Sequence, residues 1–221
     1  MILMDELLEL AHALHPFTIC GEGNVSCRDD ANLLIKASGT NLDDLGYDDL
    51  VRCRMDGKPH KGEEKKPSME VSFHAWILRT FPQINFVAHT HPTHTNKILC
   101  SERIFSFAKR RLFPDQIVRN GARSCVVPYA TPGKPLMDAI KESIFQFMST
   151  ERYFPKLILL QNHGIIVASA SAKDCVSSTM MCEKSAEIYS GARAMGSINY
   201  LTKEQIAEVD TSPDEKYRRE I

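Results

Sequence analysis

The sequence predicts an α/β domain in which a mixed or mainly antiparallel sheet is covered by helices. Strand-like runs cluster as short hairpins around turn signals such as Asp29-Asp30 and Asp56-Gly57, and do not alternate with helices as βαβ units would. Helical apolar periodicity is confined to separate stretches near the N-terminus, around 67–81, around 136–148 and after Ser171. The 221 residues, 43% of them apolar, suffice for one substantial core. No internal repeat or low-complexity linker divides the chain, so residues 1–221 are read as a single domain.

Met4, Leu7, Leu8, Ala11 and Leu14 recur at helical spacing, and Pro16 closes that first helix. Gly21 and Gly23 mark a loop, after which 24–28 and 32–36 read as strands around the Asp29-Asp30 turn. Ser38-Gly39-Thr40 is the next turn, 50–55 a strand, Asp56-Gly57 a hairpin turn and 61–66 an exposed charged loop. Pro67 suits the first position of a helix that carries Phe73, Ile77 and Phe81 on one side and ends before Pro82. Glu70 and His74, four residues apart, then share a face of it. The run 84–88 is β-branched and aromatic, hence a strand. Residues 99–119 show a mixed pattern with no single element assigned. A strand is expected over 122–127, a helix through Leu136, Ile140, Ile144 and Met148, and two strands, 157–161 and 165–168, about a His163-Gly164 turn. Ser171 caps a long helix reaching about Met195, and Thr202 with Gln205 three residues on forms a capping box for a short last helix. The tail beyond Asp210 is polar and is expected to be ordered against a partner subunit.

Lys and Arg number 27 against 28 Asp and Glu, a formal charge of -1, so the overall balance points to neither nucleic acid nor an anionic membrane. No apolar run approaches the roughly 20 residues that span a bilayer. Seven Cys, an odd number without CxxC spacing, and acidic Asp5 and Glu6 near the start argue for reduced thiols in the cytoplasm. The expected partner is a small molecule.

The chemistry is concentrated in a few segments. On the extension of the 84–88 strand, His89 and His91 are two apart and project to one face, where two imidazoles can share a cation. A third nitrogen is offered by Asn162-His163-Gly164 at the end of Leu157-Ile158-Leu159-Leu160, and a carboxylate by Glu70. Three neutral imidazoles and one carboxylate fit a zinc shell, with manganese, cobalt or iron as other divalent candidates. An HxH pair alone would be commonplace; its coincidence with the Asn-His-Gly turn and a Glu just ahead of the strand is what argues for metal. His74, beside Trp76, reads as a packed or ligand-supporting histidine, and His94, past Pro92, as a candidate for a catalytic or supporting role. Gly21-Glu22-Gly23-Asn24 precedes a strand and is no dinucleotide fingerprint. Gly23-Asn24, Ser38-Gly39-Thr40 and Ser68 could instead converge on a phosphate through N–H and hydroxyl donors, or be plain turn chemistry. Cys125, Cys175 and Cys182 read as small core residues.

Taken together, Gly23-Asn24-Val25-Ser26, Lys36-Ala37-Ser38-Gly39-Thr40, Lys66-Pro67-Ser68-Met69-Glu70 with His74, His89-Thr90-His91, Pro128-Tyr129-Ala130-Thr131-Pro132-Gly133 and Asn162-His163-Gly164 resemble, in order and spacing, the class II aldolase/adducin family over roughly residues 1–195. The resemblance implies a three-layer α/β/α fold around a mainly antiparallel sheet, a homotetramer with active sites at subunit interfaces, and one zinc ion per chain held by His89, His91 and His163. It implies Glu70 as the metal-proximal carboxylate and acid/base, and Gly23, Asn24, Ser38, Gly39 and Ser68 as phosphate-binding positions. Two departures stand out. Met69 occupies the place of a second Ser in the fuculose-phosphate aldolases, and the tyrosine those enzymes use as a proton donor has no counterpart in 105–116, where Asp115 is the nearest titratable candidate.

The activity this implies is a zinc-dependent aldolase that cleaves a ketose 1-phosphate to dihydroxyacetone phosphate and an aldehyde, the metal stabilising the enediolate left when the C3–C4 bond breaks. The same chemistry serves a sugar-phosphate epimerase, a dehydratase or a 3-oxo acid decarboxylase. A non-catalytic adducin-like scaffold is the reading from another class; the complete set of candidate ligands and Glu70 stand against it.

Overall fold

The computed structural model describes residues 2–213. Seven strands form one sheet in the order β3-β2-β1-β4-β7-β6-β5: β1 (Asn24–Asp29), β2 (Asn32–Lys36), β3 (Leu50–Arg54), β4 (Phe86–Thr90), β5 (Cys125–Val127), β6 (Leu157–Leu160) and β7 (Gly164–Ser169). Every pairing is antiparallel except β5 with β6. Among the described residues the α-helices are α1 (Ile2–Leu14), α2 (Val71–Thr80), α3 (Thr93–Leu99), α4 (Ile104–Lys109), α5 (Pro114–Asn120), α6 (Lys134–Glu151), α7 (Ala172–Ala194) and α8 (Lys203–Thr211).

Alternation along the strands builds two cores. Val25 and Cys27 of β1, Phe86 and Ala88 of β4, and Ile165 and Val167 of β7 pack with Leu7, Leu10 and Leu14 of α1 and with Cys175, Cys182 and Tyr189 of α7. The opposite face, including Ile35, Val87, Ile158 and Ile166, packs with Phe73, Ile77 and Leu78 of α2 and Ile140 and Ile144 of α6. Side chains that point alternately up and down along each strand therefore give three layers, helix on sheet on helix, as expected. Gly57, at φ +84°, makes the Asp56-Gly57 turn, donating its N–H to Arg54 O at 2.8 Å. Ser171 caps α7 by accepting from Asp174 N at 3.1 Å, and Thr202 with Gln205 forms the expected capping box.

Two expectations need correction. Helix α2 starts at Val71, not Pro67, and Glu70 is its N-cap residue instead of lying on its face. Pro67 pairs with Ala37 in an isolated antiparallel bridge, with Ser38 N donating to Lys66 O at 2.9 Å and Ser68 N to Lys36 O at 3.0 Å. Pro67 has no N–H, but its neighbours supply the donors, so the segment extends the sheet edge before the helix begins. The 99–119 stretch, unassigned from sequence, holds the end of α3 and two short helices of 6 and 7 residues, wrapped around the buried Arg111 guanidinium, which donates to Gly121 O, Phe107 O and Ser124 Oγ. The polar tail expected to meet a partner lies, beyond residue 213, outside the described residues.

Candidate metal centre and active site

Strand β4 is central, and its register places the site. His89 pairs with Asn24 of β1 on one side and with Ile166 of β7 on the other. His91 lies just past β4, its N–H anchored on Phe17 O at 3.0 Å. His163 sits in the β6–β7 turn, where Asn162 adopts the left-handed conformation, at φ 56°. The turn can approach only because residue 164 is Gly: a Cβ there would stand 2.4 Å from His91 Cδ2 and 2.5 Å from Thr90 O. One ring nitrogen from each of His89, His91 and His163 lies within 4.8 Å of the others.

The hydrogen bonds behind the rings decide what those nitrogens can do. His89 Nδ1 lies 2.8 Å from Ile165 O, which can only accept, so the proton is on Nδ1 and Nε2 carries a lone pair. His91 Nδ1 lies 2.9 Å from Glu22 Oε2, which imposes the same tautomer. The two Nε2 atoms are nevertheless 2.9 Å apart, and Glu70 Oε2 is 3.2 Å from His89 Nε2. Lone pairs facing one another at that distance repel unless a cation sits among them. Burial pushes the His89 imidazolium down to about 4, so His89 does not itself carry that positive charge near neutrality. Burial also lowers His163 from its ordinary value. The donor set therefore fits a divalent metal held by His89, His91 and His163, with Glu70 beside it, its Oε1 3.6 Å from His163 Nε2.

Glu70 is fixed from behind. Asn24 Nδ2 donates to Glu70 Oε2 at 2.9 Å. Asn24 Oδ1 in turn accepts from His74 Nε2, and His74 Nδ1 faces Ser26 Oγ at 2.7 Å. His74 is fully buried and held down at about 3 by loss of hydration, so this chain of contacts runs through a neutral ring. Burial tends to raise the Glu70 carboxyl, but its attraction to His89, the Asn24 amide and the attraction to His163 outweigh that and hold it below the ordinary carboxylate range.

Beside the imidazoles lies a cavity of about 430 Å3 whose wall includes Gly23, Asn24, Ser38, Gly39, Ser68 and Glu70. The Ala37–Pro67 bridge lays the Ser38-Gly39 turn against Ser68, so all five candidate phosphate positions share one cavity. Met69, on the same wall, is 88% exposed. Sequence reasoning left two ionisable wall residues without a role. One is Glu22, the acceptor behind His91. The other is Lys36, 2% exposed, whose Nζ reaches the carbonyls of Gly21 at 3.3 Å and Ala37 at 3.4 Å. Burial lowers the Lys36 ammonium from its ordinary value, with Asp49 opposing. The hints in the sequence were a lysine closing the apolar β2 strand and its place at the head of the Lys36-Ala37-Ser38-Gly39-Thr40 motif. Two other candidates lie elsewhere: His94 is on α3, with its N–H bound to Glu183 Oε1 at 2.8 Å, and Asp115 is in the first turn of α5; neither lines this cavity.

Comparison with known proteins gives the family and the fold. Residues 6–190 match the family model described as the class II aldolase and adducin N-terminal domain. A 3-oxo-tetronate 4-phosphate decarboxylase of Pectobacterium atrosepticum is 31% identical over 190 residues, 85% of this chain and 82% of that protein. A 5-deoxy-D-ribulose 1-phosphate aldolase of Bacillus thuringiensis is 26% identical over 194 residues, 83% of this chain and 81% of the relative. Among solved structures, YgbL from Escherichia coli superposes with a TM-score of 0.77 at 25% identity, covering 95% of this chain and 98% of its own.

Proposed function

Because the chain belongs to the class II aldolase and adducin family, we propose that it is a metal-dependent carbon–carbon lyase acting on a short phosphorylated sugar acid, a 3-oxo acid whose carboxylate leaves as CO2. The observation that carries this is the set of tautomer-fixed lone pairs on His89 and His91, converging with Glu70 on one point beside a cavity walled by Asn24, Ser38, Gly39, Ser68 and Lys36. When bound, a divalent cation, zinc first among the candidates, supplies a Lewis acid that draws electron density from the substrate's oxygens. Ser38, Gly39, Ser68 and Asn24 receive the phosphate at the cavity wall, and Lys36 gives the anionic substrate a buried counter-charge. Glu70 carries the proton: as the C–C bond breaks and its electron pair stays on the substrate, Glu70 delivers a proton to that carbon and regains one from solvent. Substrate entry strips water from Glu70 and raises its pKa toward the value a donor needs.

Decarboxylation makes a single proton demand, which Glu70 meets, and the name of the Pectobacterium relative supports it. Retro-aldol cleavage of a ketose 1-phosphate is the second reading, favoured by the Bacillus relative, and it also asks for a group to take the proton of the departing hydroxyl. The reading includes a homotetramer with sites completed between subunits, an arrangement that would cover the exposed Met69 side chain, and a reducing, cytoplasmic setting in keeping with seven free cysteines. No helix among the described residues is long and apolar enough to cross a membrane.

The test is to incubate zinc-loaded protein with 3-oxo-tetronate 4-phosphate in D2O and follow products by NMR. CO2 release with one deuterium on the product carbon is expected. No turnover of this compound, with cleavage of a ketose 1-phosphate to dihydroxyacetone phosphate, would shift the assignment to the aldolase; no turnover of either would overturn it.

A further inference from the structure

We infer that Glu22 is a positioning residue for the metal, acting through His91; the inference rests on the metal reading above. The carboxylate uses both oxygens: Oε2 accepts from His91 Nδ1 at 2.9 Å and Oε1 accepts from Ile19 N at 2.9 Å. One oxygen ties the carboxylate to its own loop and the other aims the ring. The loop has little room to relax, since a Cβ on Gly23, at φ +72°, would meet Thr18 Cγ2 at 2.6 Å and His89 O at 2.9 Å. On the other side the His91 ring lies against the Gly164 backbone, so it is clamped between Glu22 and the β6–β7 turn.

The three imidazoles differ in what stands behind them. His89 has a neutral carbonyl, Ile165 O. His163 has no acceptor behind its ring among the described residues, its polar contact being Glu70 on the metal side. His91 alone is backed by a carboxylate. A carboxylate behind a ligating histidine fixes the tautomer, orients the ring and raises the basicity of the nitrogen that faces the metal. Glu22 also matters for charge. Were Glu70 to move away from a bound cation to carry a proton, Glu22 would keep one negative charge next to the ligand set.

The experiment uses the full chain, stripped of metal, and measures zinc affinity by competition with a chromophoric chelator for wild type, Glu22→Gln and Glu22→Ala. With its side chain 34% exposed, Glu22 can be replaced without opening the core. Glu22→Ala should weaken zinc binding by about 10- to 100-fold; Glu22→Gln, which keeps an acceptor oxygen without the charge, should fall between. As an independent readout, 15N NMR of the metal-free protein should show His91 as the Nδ1–H tautomer in wild type and as a tautomer mixture in Glu22→Ala, with His89 unchanged. Zinc affinity of Glu22→Ala within twofold of a zinc-binding wild type, or an unchanged His91 tautomer, would overturn the inference. A wild type that binds no zinc would overturn the metal reading and this inference together.

Discussion

Replacing Gly164 by Ala is the sharpest probe of how the fold builds the metal centre. The added Cβ would stand 2.5 Å from Thr90 O, 2.4 Å from His91 Cδ2 and 3.1 Å from His91 Nε2. Thr90 belongs to β4, and its partner Ile165 to β7, so its carbonyl cannot withdraw without opening the pairing that joins the two strands. The imidazole must yield instead. Recovering an ordinary carbon–carbon contact of about 3.4 Å requires the ring to move by about 1 Å. That exceeds the roughly 0.2 Å tolerance of a metal–ligand distance, and it disturbs the 2.9 Å contact with Glu22 on the other side of the ring. Zinc affinity should therefore fall by more than the roughly 10- to 100-fold expected for losing an outer partner alone. Stability of the metal-free protein should drop by about 1–3 kcal/mol, the usual cost of overpacking. Chelator competition and urea unfolding measure the two effects. Gly191→Ala in α7, where an added Cβ meets nothing within 4 Å, is the matched control and should stabilise by about 0.5–1 kcal/mol. If Gly164→Ala binds zinc as wild type does and unfolds at the same urea concentration, the turn does not position the ligands as argued.

Three other outcomes follow from the same geometry. Glu70→Gln should retain zinc, since three imidazoles remain, while product formation and solvent deuterium incorporation fall by about 100- to 10,000-fold; near-normal deuterium incorporation would remove Glu70 as the proton carrier. Lys36→Met should raise KM for a phosphorylated substrate at least about tenfold and leave stability equal or higher, because the buried ammonium contacts only carbonyls directly and its loss of hydration outweighs the attraction of Asp49; unchanged KM would show that the ammonium does not meet the substrate. The metal-free protein should lose stability on acidification. His74 and His89 have folded values of about 3 and about 4 against an ordinary 6.5, so below pH 6.5 the unfolded chain binds protons that the folded chain does not. Their contribution is fully present above about pH 6.5 and is lost as pH falls toward 4, at about 1.4 kcal/mol per pH unit for each histidine. Urea midpoints at pH 7, 6 and 5 check this, and a constant midpoint would contradict it.

How much of this was legible in the sequence depended on distance along the chain. Helices α1, α6 and α7 were readable because each repeats apolar residues over several turns or carries a local cap, as Ser171 does for α7. Helices α4 and α5 were not, because 6 and 7 residues are too few to show a period and their surroundings are organised by a buried arginine, Arg111. The start of α2 was misplaced because Pro67 is equally at home at the first position of a helix and on a sheet edge, and only its pairing with Ala37 decides between them. Within the site, His89, His91, His163 and Glu70 announced themselves by residue type and spacing. Glu22 could not: its role exists only because the chain brings it to His91, 69 residues away in sequence. The link from Asn24 to Glu70 spans 46 residues and that from His74 to Asn24 spans 50, so the polar chain behind Glu70 was likewise invisible until the strands were paired.

The most direct test of the metal centre is X-ray absorption at the zinc edge of the reconstituted protein. Three imidazole nitrogens at about 2.0–2.1 Å with one further light oxygen donor are predicted. Sulfur scattering near 2.3 Å, or fewer than three imidazoles in the shell, would contradict the assignment of His89, His91 and His163 as the ligands.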